Sequence, residues 1–333
     1  MKKKLSLLTV FLVVCMIFSV ITTGCGSNSS TKDTDAKYDG ISAISIGTAT
    51  SGGVYYVLGA GLAELFQREL SINVTAEESA GSLANAAHLD AGEMEIAIMT
   101  AEASESAVSG TGNFDKPINI KAMAILHPGV FQMITLKDSD IYTLMDMKGK
   151  KVSVGPPGSG ANNTNDEILS ALGLSYRDGS FCIPEYLSPT ETLEAFQNGV
   201  LDGCLIATGL PASWVMELEI KRPVRLLSFT DEELKKVTDA IPFYKPFIIE
   251  GGTYKTQEED VVTVAGWNLL NVNGDLPEDL VYDLTKALYE NLDDVHEIHS
   301  AAEIISPDYI KDINIEIHPG AERYFREKGF ELP

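Results

Sequence analysis

Basic side chains are scarce in this chain: 25 Lys and Arg stand against 48 Asp and Glu over 333 residues, a formal net charge of −23. A surface this anionic repels nucleic acid and acidic lipid headgroups, so sequence-independent nucleic-acid binding is excluded and no nucleic-acid partner is expected. Cysteine is nearly missing. Of the four, Cys15 and Cys25 fall in the first 25 residues, leaving Cys182 and Cys204. Both sit in apolar strand-like runs (FCIPEYL and GCLIAT), where a free thiol acts as a small buried hydrophobe. A disulfide between them is the alternative that an exported location permits. Two cysteines without a neighbouring histidine give no zinc set, and no metal is expected. The five histidines form no HExxH; His296 and His299 lie three apart and read as a solvated pair. There is no GxSxG elbow, no Lys-Ser/Thr after the glycines of GPPGSGAN, and no GxGxxG after the first strand. Nothing singles out an acid/base pair either. Neither an enzyme nor a cofactor is expected. A 20–50-residue repeat is also lacking, which excludes solenoids and propellers.

Apolar residues make up 44% and charged residues 22% of the chain, a globular balance, and the length fits two lobes of roughly 100–150 residues each. Residues 1–4 are cationic, and Leu5 to Ile21 is an apolar run broken only by Ser6, Thr9 and Ser19. Thr22-Thr23-Gly24-Cys25 follows, the pattern of a secretory signal. Gly24-Cys25 with Gly26-Ser27 after it looks like a lipoprotein processing site that would leave Cys25 as the lipidated first residue; a simply cleaved signal is the alternative. Loss of that leader, which carries Lys2, Lys3 and Lys4 and no acid, takes the charge to −26. Residues 26–40 are polar and read as a flexible tether. No later run is apolar enough to span a bilayer. The expectation is an extracytoplasmic globule anchored to the cell membrane as a lipoprotein.

Past the tether, short apolar runs alternate with helical patterns. Strands are expected at Ile41–Gly47, Val74–Glu77 and Ile96–Met99, with helices at Val54–Leu70 and Leu83–Leu89 between them. This βαβαβ order is the signature of a mostly parallel sheet with helices on its faces. The alternation restarts with strands at Lys151–Val154, Cys182–Leu187 and Gly203–Ala207 and helices at Asp166–Leu172 and Ala212–Glu219. Ser188-Pro189-Thr190-Glu191 opens a further helix with a capping serine, a first-turn proline and a glutamate three residues on. Val261–Val272 reads as one long strand, and Glu278–Leu292 and Gly320–Lys328 as helices. The expected division is a signal at 1–25, a tether at 26–40, the first part of lobe 1 at 41–128, lobe 2 at 129–274, and a return to lobe 1 at 275–333. A cleft between two such lobes, at the carboxyl ends of the strands, is where these sheets bind small ligands.

Four strand ends are rich in glycine and hydroxyls: Gly47–Tyr55, Ser79–Asn85, Gly155–Gly160 and Ala207–Pro211. Each precedes an expected helix, so each offers free backbone N–H groups and the positive end of a dipole. Converging helix N-termini favour a carboxylate, at about 0.3–1 kcal/mol each when exposed and up to about 2 when partly buried. Micromolar affinity needs about 8 kcal/mol, so the cleft must also close and exclude water.

Several stretches together resemble the TAXI-type solute receptors of TRAP transporters over residues 41 to 330: ISIGTATSGGVYYVLG, EESAGSLANAAHLDAGEMEIAI, MDMKGKKVSVGPPGSG, LEAFQNGVLDGCLIATGLPASWVMEL and GGTYKTQEEDVVTVAGWNLLNVNGDLPEDLVYDLTKALYE. The resemblance implies an α/β, two-lobed periplasmic-binding-protein fold of type II-like form. It also implies a monomeric receptor that closes on a small carboxylate, glutamate-like or a related organic acid, and delivers it to an ion-coupled TRAP-type permease. By the motif match, ligand contacts fall on Thr48, Gly53, Tyr55, Ser79, Ser82, Asn85, Ser159, Gly160 and Thr208, with Thr100 and Asn162 as additions. Family members often read GSGTR where this chain has Gly158-Ser159-Gly160-Ala161-Asn162, so the loop lacks a hydroxyl and a cation. They also often carry Gln and Asp where Thr100 and Glu102 stand. With a strongly negative chain, these departures point to a zwitterionic amino acid or a monocarboxylate. The alternatives are the solute-binding lipoprotein of an ATP-driven importer, an exported enzyme on the same bilobal scaffold, and a surface sensor or adhesion protein.

Overall fold

A computed structural model describes residues 37–333. The leader, Cys25 and all but the end of the tether lie outside the described residues. The first segment runs β1 (Ala43–Gly47), α1 (Val54–Leu70), β2 (Asn73–Glu77), α2 (Ser82–Ala91), β3 (Ile96–Thr100), α3 (Ala101–Ser109) and β4 (Ile120–Leu136). The second runs β5 (Lys151–Ser153), α4 (Gly160–Ala171), β6 (Ile183–Glu185), α5 (Pro189–Gln197), β7 (Gly203–Thr208), α6 (Ser213–Lys221), β8 (Val224–Leu227), α7 (Asp231–Ala240) and β9 (Lys245–Ile249). After β10 (Val261–Asn273) come α8 (Glu278–Glu290), α9 (Leu292–Ile298) and α10 (Pro319–Lys328). Among the described residues no helix is long and apolar enough to cross a membrane.

The ten strands form one continuous ladder in the order β2-β1-β3-β10-β4-β7-β5-β6, with β8 paired to β4 and β9 to β10. Its ends are parallel (β2-β1-β3 and β6-β5-β7) and its middle is antiparallel. Each parallel end is a βα unit whose strands are covered by helices, which is why β3 (IAIMT) is buried at every position. The middle consists of β4 and β10, which run side by side and place Gly129 opposite Gly266 and Pro128 opposite Trp267. A register shift between Trp267 and Leu269 accommodates the proline, which has no N–H for a regular ladder.

Two sets of apolar cores result. The largest combines residues of 38–126 with residues of 269–325, including Leu58, Phe66, Leu284 and Phe325. Two others are built only from residues of 130–265, among them Phe131, Phe196 and Trp214. The molecule is thus a two-lobed α/β fold whose C-terminal helices pack back on the first lobe.

Helix α1 matches its expected span because Leu58, Leu62, Leu65 and Phe66 are buried on one face. Helix α4 departs from expectation. It starts at Gly160 rather than Asp166, because its first turns bury Asn162, Asn163, Thr164 and Asn165 instead of aliphatic side chains. Asn165 Nδ2 donates to the carbonyls of Val154 at 3.0 Å and Leu205 at 2.7 Å, which lets an amide take a core position. Helix α3 has no counterpart in the apolar pattern for a similar reason: Ala101, Glu102, Ala103, Ser104 and Ala107 form its buried face.

Candidate functional site

Five helices begin at one cavity. Helix α1 starts after Gly53, α2 after Gly81, α3 after Thr100 and α4 after Ser159, and Pro189 is the first residue of α5; all five residues line the same void. The void measures about 690 Å³, counting the part open to solvent. Ser159 caps its own helix, its Oγ accepting from the Asn162 N–H at 3.0 Å, and Thr100 Oγ1 accepts from Ala103 N–H at 3.4 Å. Gly53 and Gly81 have no side chain to cap with, so the first N–H groups of α1 and α2 are left without a side-chain acceptor. A larger groove of about 1240 Å³ lies beside Phe243, Phe247, Trp267 and Tyr309, but none of the residues expected at the site lines it.

The lobes meet around the cavity. Leu83 N–H of the first lobe donates to Gly158 O of the second at 3.2 Å. Gly81 has φ 115°, and a Cβ there would stand 3.0 Å from the Ser159 Cα. A Cβ on Gly160 would come within 2.6 Å of Ser82 Oγ and 2.8 Å of Thr100 Cγ2. Only glycine fits at both positions.

Behind the cavity the two central strands hold a polar chain. The Tyr55 hydroxyl donates to Asn268 Oδ1, and Asn268 Nδ2 donates to His127 O at 2.9 Å. His127 Nδ1 sits 3.0 Å from Pro128 O, which it serves as donor, and its Nε2 is buried with no partner. Burial lowers the His127 pKa to about 4, so the ring is neutral at ordinary pH.

A second cluster bridges the lobes beside the cavity without lining it. Glu102 of the first lobe is 4% exposed. Its Oε1 accepts from Thr164 Oγ1 at 2.8 Å and from the Tyr244 hydroxyl at 3.0 Å. The same hydroxyl lies 3.0 Å from Glu167 Oε2, and Asn163 Nδ2 donates to Glu167 Oε1 at 2.9 Å. One phenolic hydrogen cannot satisfy two carboxylates, so the arrangement favours a protonated carboxyl. Burial, and then the neighbouring Glu102, push Glu167 up to about 7. Burial raises Glu102 as well.

Of the expected contact residues, Gly53, Tyr55, Thr100, Ser159, Gly160 and Thr208 line the cavity. Thr48, Ser79, Ser82, Asn85 and Asn162 do not. They tie the loops together: Thr48 Oγ1 donates to Glu77 O at 2.7 Å, Ser79 Oγ to Thr48 O at 3.0 Å, and Asn85 Nδ2 to Thr48 O and Ile98 O, both at 2.8 Å. Ser82 Oγ accepts from Thr100 N–H at 3.1 Å, and Asn162 Nδ2 donates to Val154 O at 3.0 Å. Asn268, Thr192 and Leu187 line the cavity without having been singled out. Asn268 has a signal, since it is one of two amides, with Asn271, in the apolar run VVTVAGWNLLNV. Cys182 and Cys204 are free buried thiols, which removes the disulfide alternative. Cys204 lines the cavity, and burial pushes its thiol up to about 12. His296 and His299 part ways, one bonding Ile305 O at 3.0 Å and the other Ser213 Oγ at 3.2 Å.

A model of the NMT1-like family matches residues 46–329. Among solved structures, a Bordetella bronchiseptica RB50 protein is 15% identical, with 86% of this chain and 81% of that one aligned at a TM-score of 0.51. A Xanthomonas citri protein bound to chloride ion is 12% identical, covering 86% of this chain and all (100%) of that one at 0.50. The alkanesulfonate-binding protein SsuA from Xanthomonas axonopodis pv. citri, bound to MOPS, is 15% identical over 86% of this chain and 84% of its own, at 0.46. At such identities the likeness concerns the fold.

Proposed function

Since the chain belongs to the NMT1-like family, a family of periplasmic solute-binding proteins, we propose that its cavity captures a small carboxylate and that the loaded receptor hands it to a membrane transporter. The observation that carries this reading is the convergence of five helix N-termini from both lobes on one void. Each dipole end contributes at most about 2 kcal/mol, so affinity depends on closing the lobes around the acid and excluding water. In this reading Gly53, Tyr55, Thr100, Ser159, Gly160 and Thr208 touch the ligand. Thr48, Ser79, Ser82, Asn85 and Asn162 hold the loops that do. The lobe limits at 128 and 274, anchorage through Cys25 and a monomeric state belong to the same proposal.

For the transporter, the family's relation to binding proteins of ABC importers supports delivery to an ATP-driven importer. The stretches that resemble TAXI receptors support an ion-coupled TRAP permease as the second reading. Calorimetric titration of the purified chain with a panel of small acids is expected to give one-to-one binding at micromolar affinity or tighter. Heat with none of them removes the receptor reading. Uptake into cells expressing the chain with its transporter separates the two delivery routes, because ATP depletion stops one and collapse of the ion gradient stops the other.

A further inference from the structure

We propose that the ligand is a monocarboxylate with an uncharged, largely apolar body, and that the cavity discriminates against amino acids and dicarboxylates. The proposal rests on the reading of this void as a carboxylate site. Its basis is what the walls offer. Among the described residues that line the void, none is Asp, Glu, Lys or Arg. The five helix ends can balance one negative charge. A second carboxylate would enter a closed space with no cation to meet it, and a buried unpaired charge is strongly unfavourable.

An α-ammonium fares worse. It would find no carboxylate on the walls, and the same positive dipole ends that hold the acid group would repel it. The nearest acid on α3, Glu102, has its Oε1 turned to Thr164 and Tyr244 of the other lobe. Glu191 of α5 is committed to the N–H and hydroxyl of Ser188, both at 2.8 Å. The remaining wall is apolar: Val54, Pro156, Ala161, Leu187, Pro189 and Ile206 offer a surface for a compact hydrocarbon chain. Hydroxyls of Ser153, Thr192 and Thr208 supply neutral partners for an oxo or hydroxy group, with Ser153 Oγ and Thr192 Oγ1 already 2.8 Å apart.

Titration of the full chain in detergent with five probes isolates each element of the proposal. Leucine differs from α-ketoisocaproate by an ammonium in place of an oxo group, and α-ketoglutarate differs from it by a second carboxylate in place of a branched apolar end; isocaproate and glutamate complete the set. α-Ketoisocaproate and isocaproate are expected to bind, with leucine, glutamate and α-ketoglutarate weaker by at least about a hundredfold. Leucine, glutamate or α-ketoglutarate binding as tightly as α-ketoisocaproate overturns this proposal and leaves the carboxylate receptor standing. Heat from none of the five overturns both. In a second arm, Thr208→Asp places a carboxylate on the wall and is expected to narrow the gap between leucine and α-ketoisocaproate at least about tenfold, while Thr208→Asn preserves the original ranking. An unchanged ranking in a folded Thr208→Asp protein overturns the proposal too.

Discussion

Tyr244 presents one hydrogen to two carboxylates, and the proton that reconciles them makes stability depend on pH. Glu167 titrates near 7 in the folded protein against an ordinary value of 4.5, so between these limits the folded state holds more protons than the unfolded one. Stability therefore falls as pH rises from about 4.5 to about 7 and then levels off, by about 2–3 kcal/mol for a group this buried. Glu102 acts in the same direction, and Asp166 adds to the repulsion at Glu167. Urea unfolding at pH 5 and pH 8 should show the wild type losing stability at the higher pH and Glu167→Gln losing most of that difference. An equal drop in both proteins would show that the proton sits elsewhere. None of this is legible from the sequence, because Glu102, Glu167 and Tyr244 come from three separate stretches: the folding of the second lobe pairs Tyr244 with Glu167, and the contact between lobes adds Glu102.

Among elements, those whose buried face is aliphatic or that open on a full capping box are readable in advance. Helix α5 is the clearest. Ser188 Oγ accepts from the Glu191 N–H at 3.4 Å, Glu191 Oε2 accepts from the Ser188 N–H at 2.8 Å, and Pro189 occupies the first turn, as Ser-Pro-Thr-Glu implies. Breaking that reciprocity with Ser188→Ala should cost about 1 kcal/mol in denaturant unfolding, with Ser188→Asp retaining most of it. A loss no larger than for an exposed serine elsewhere would mean that the long 3.4 Å contact contributes little. Helix α3 (AEASESAVS) and the start of α4 (GANNTN) were hidden because small and amide side chains, satisfied by backbone carbonyls, fill their inner faces. Strand β4 is hidden because Pro128-Gly129, where the sequence suggests a lobe boundary, interrupts its apolar run; the shifted register with β10 carries the strand through.

For the molecule as a whole, the glycine-rich loops were visible as candidate ligand-facing turns, yet the sequence could not separate hydroxyls that face the void from those that brace the loops. Thr208 and Thr48 stand at equivalent strand ends; one lines the cavity and the other donates to Glu77 O. Closure depends on Gly160, where a methyl would press on Ser82 and Thr100 across the gap. Gly160→Ala should leave the fold intact, weaken acid binding by at least about tenfold, and give a larger radius of gyration by X-ray scattering at saturating ligand than the wild type. Wild-type affinity in that variant would mean that the lobes need not approach so closely.

The first lobe's core needs Leu280, Leu284, Tyr324 and Phe325 from the end of the chain, whereas the cores of 130–265 draw on one uninterrupted stretch. A ribosome makes that stretch before it makes α8 and α10. The second lobe can therefore complete its cores first while α1 and its neighbours wait with an apolar face uncovered, and that waiting half is where a chaperone has most to hold.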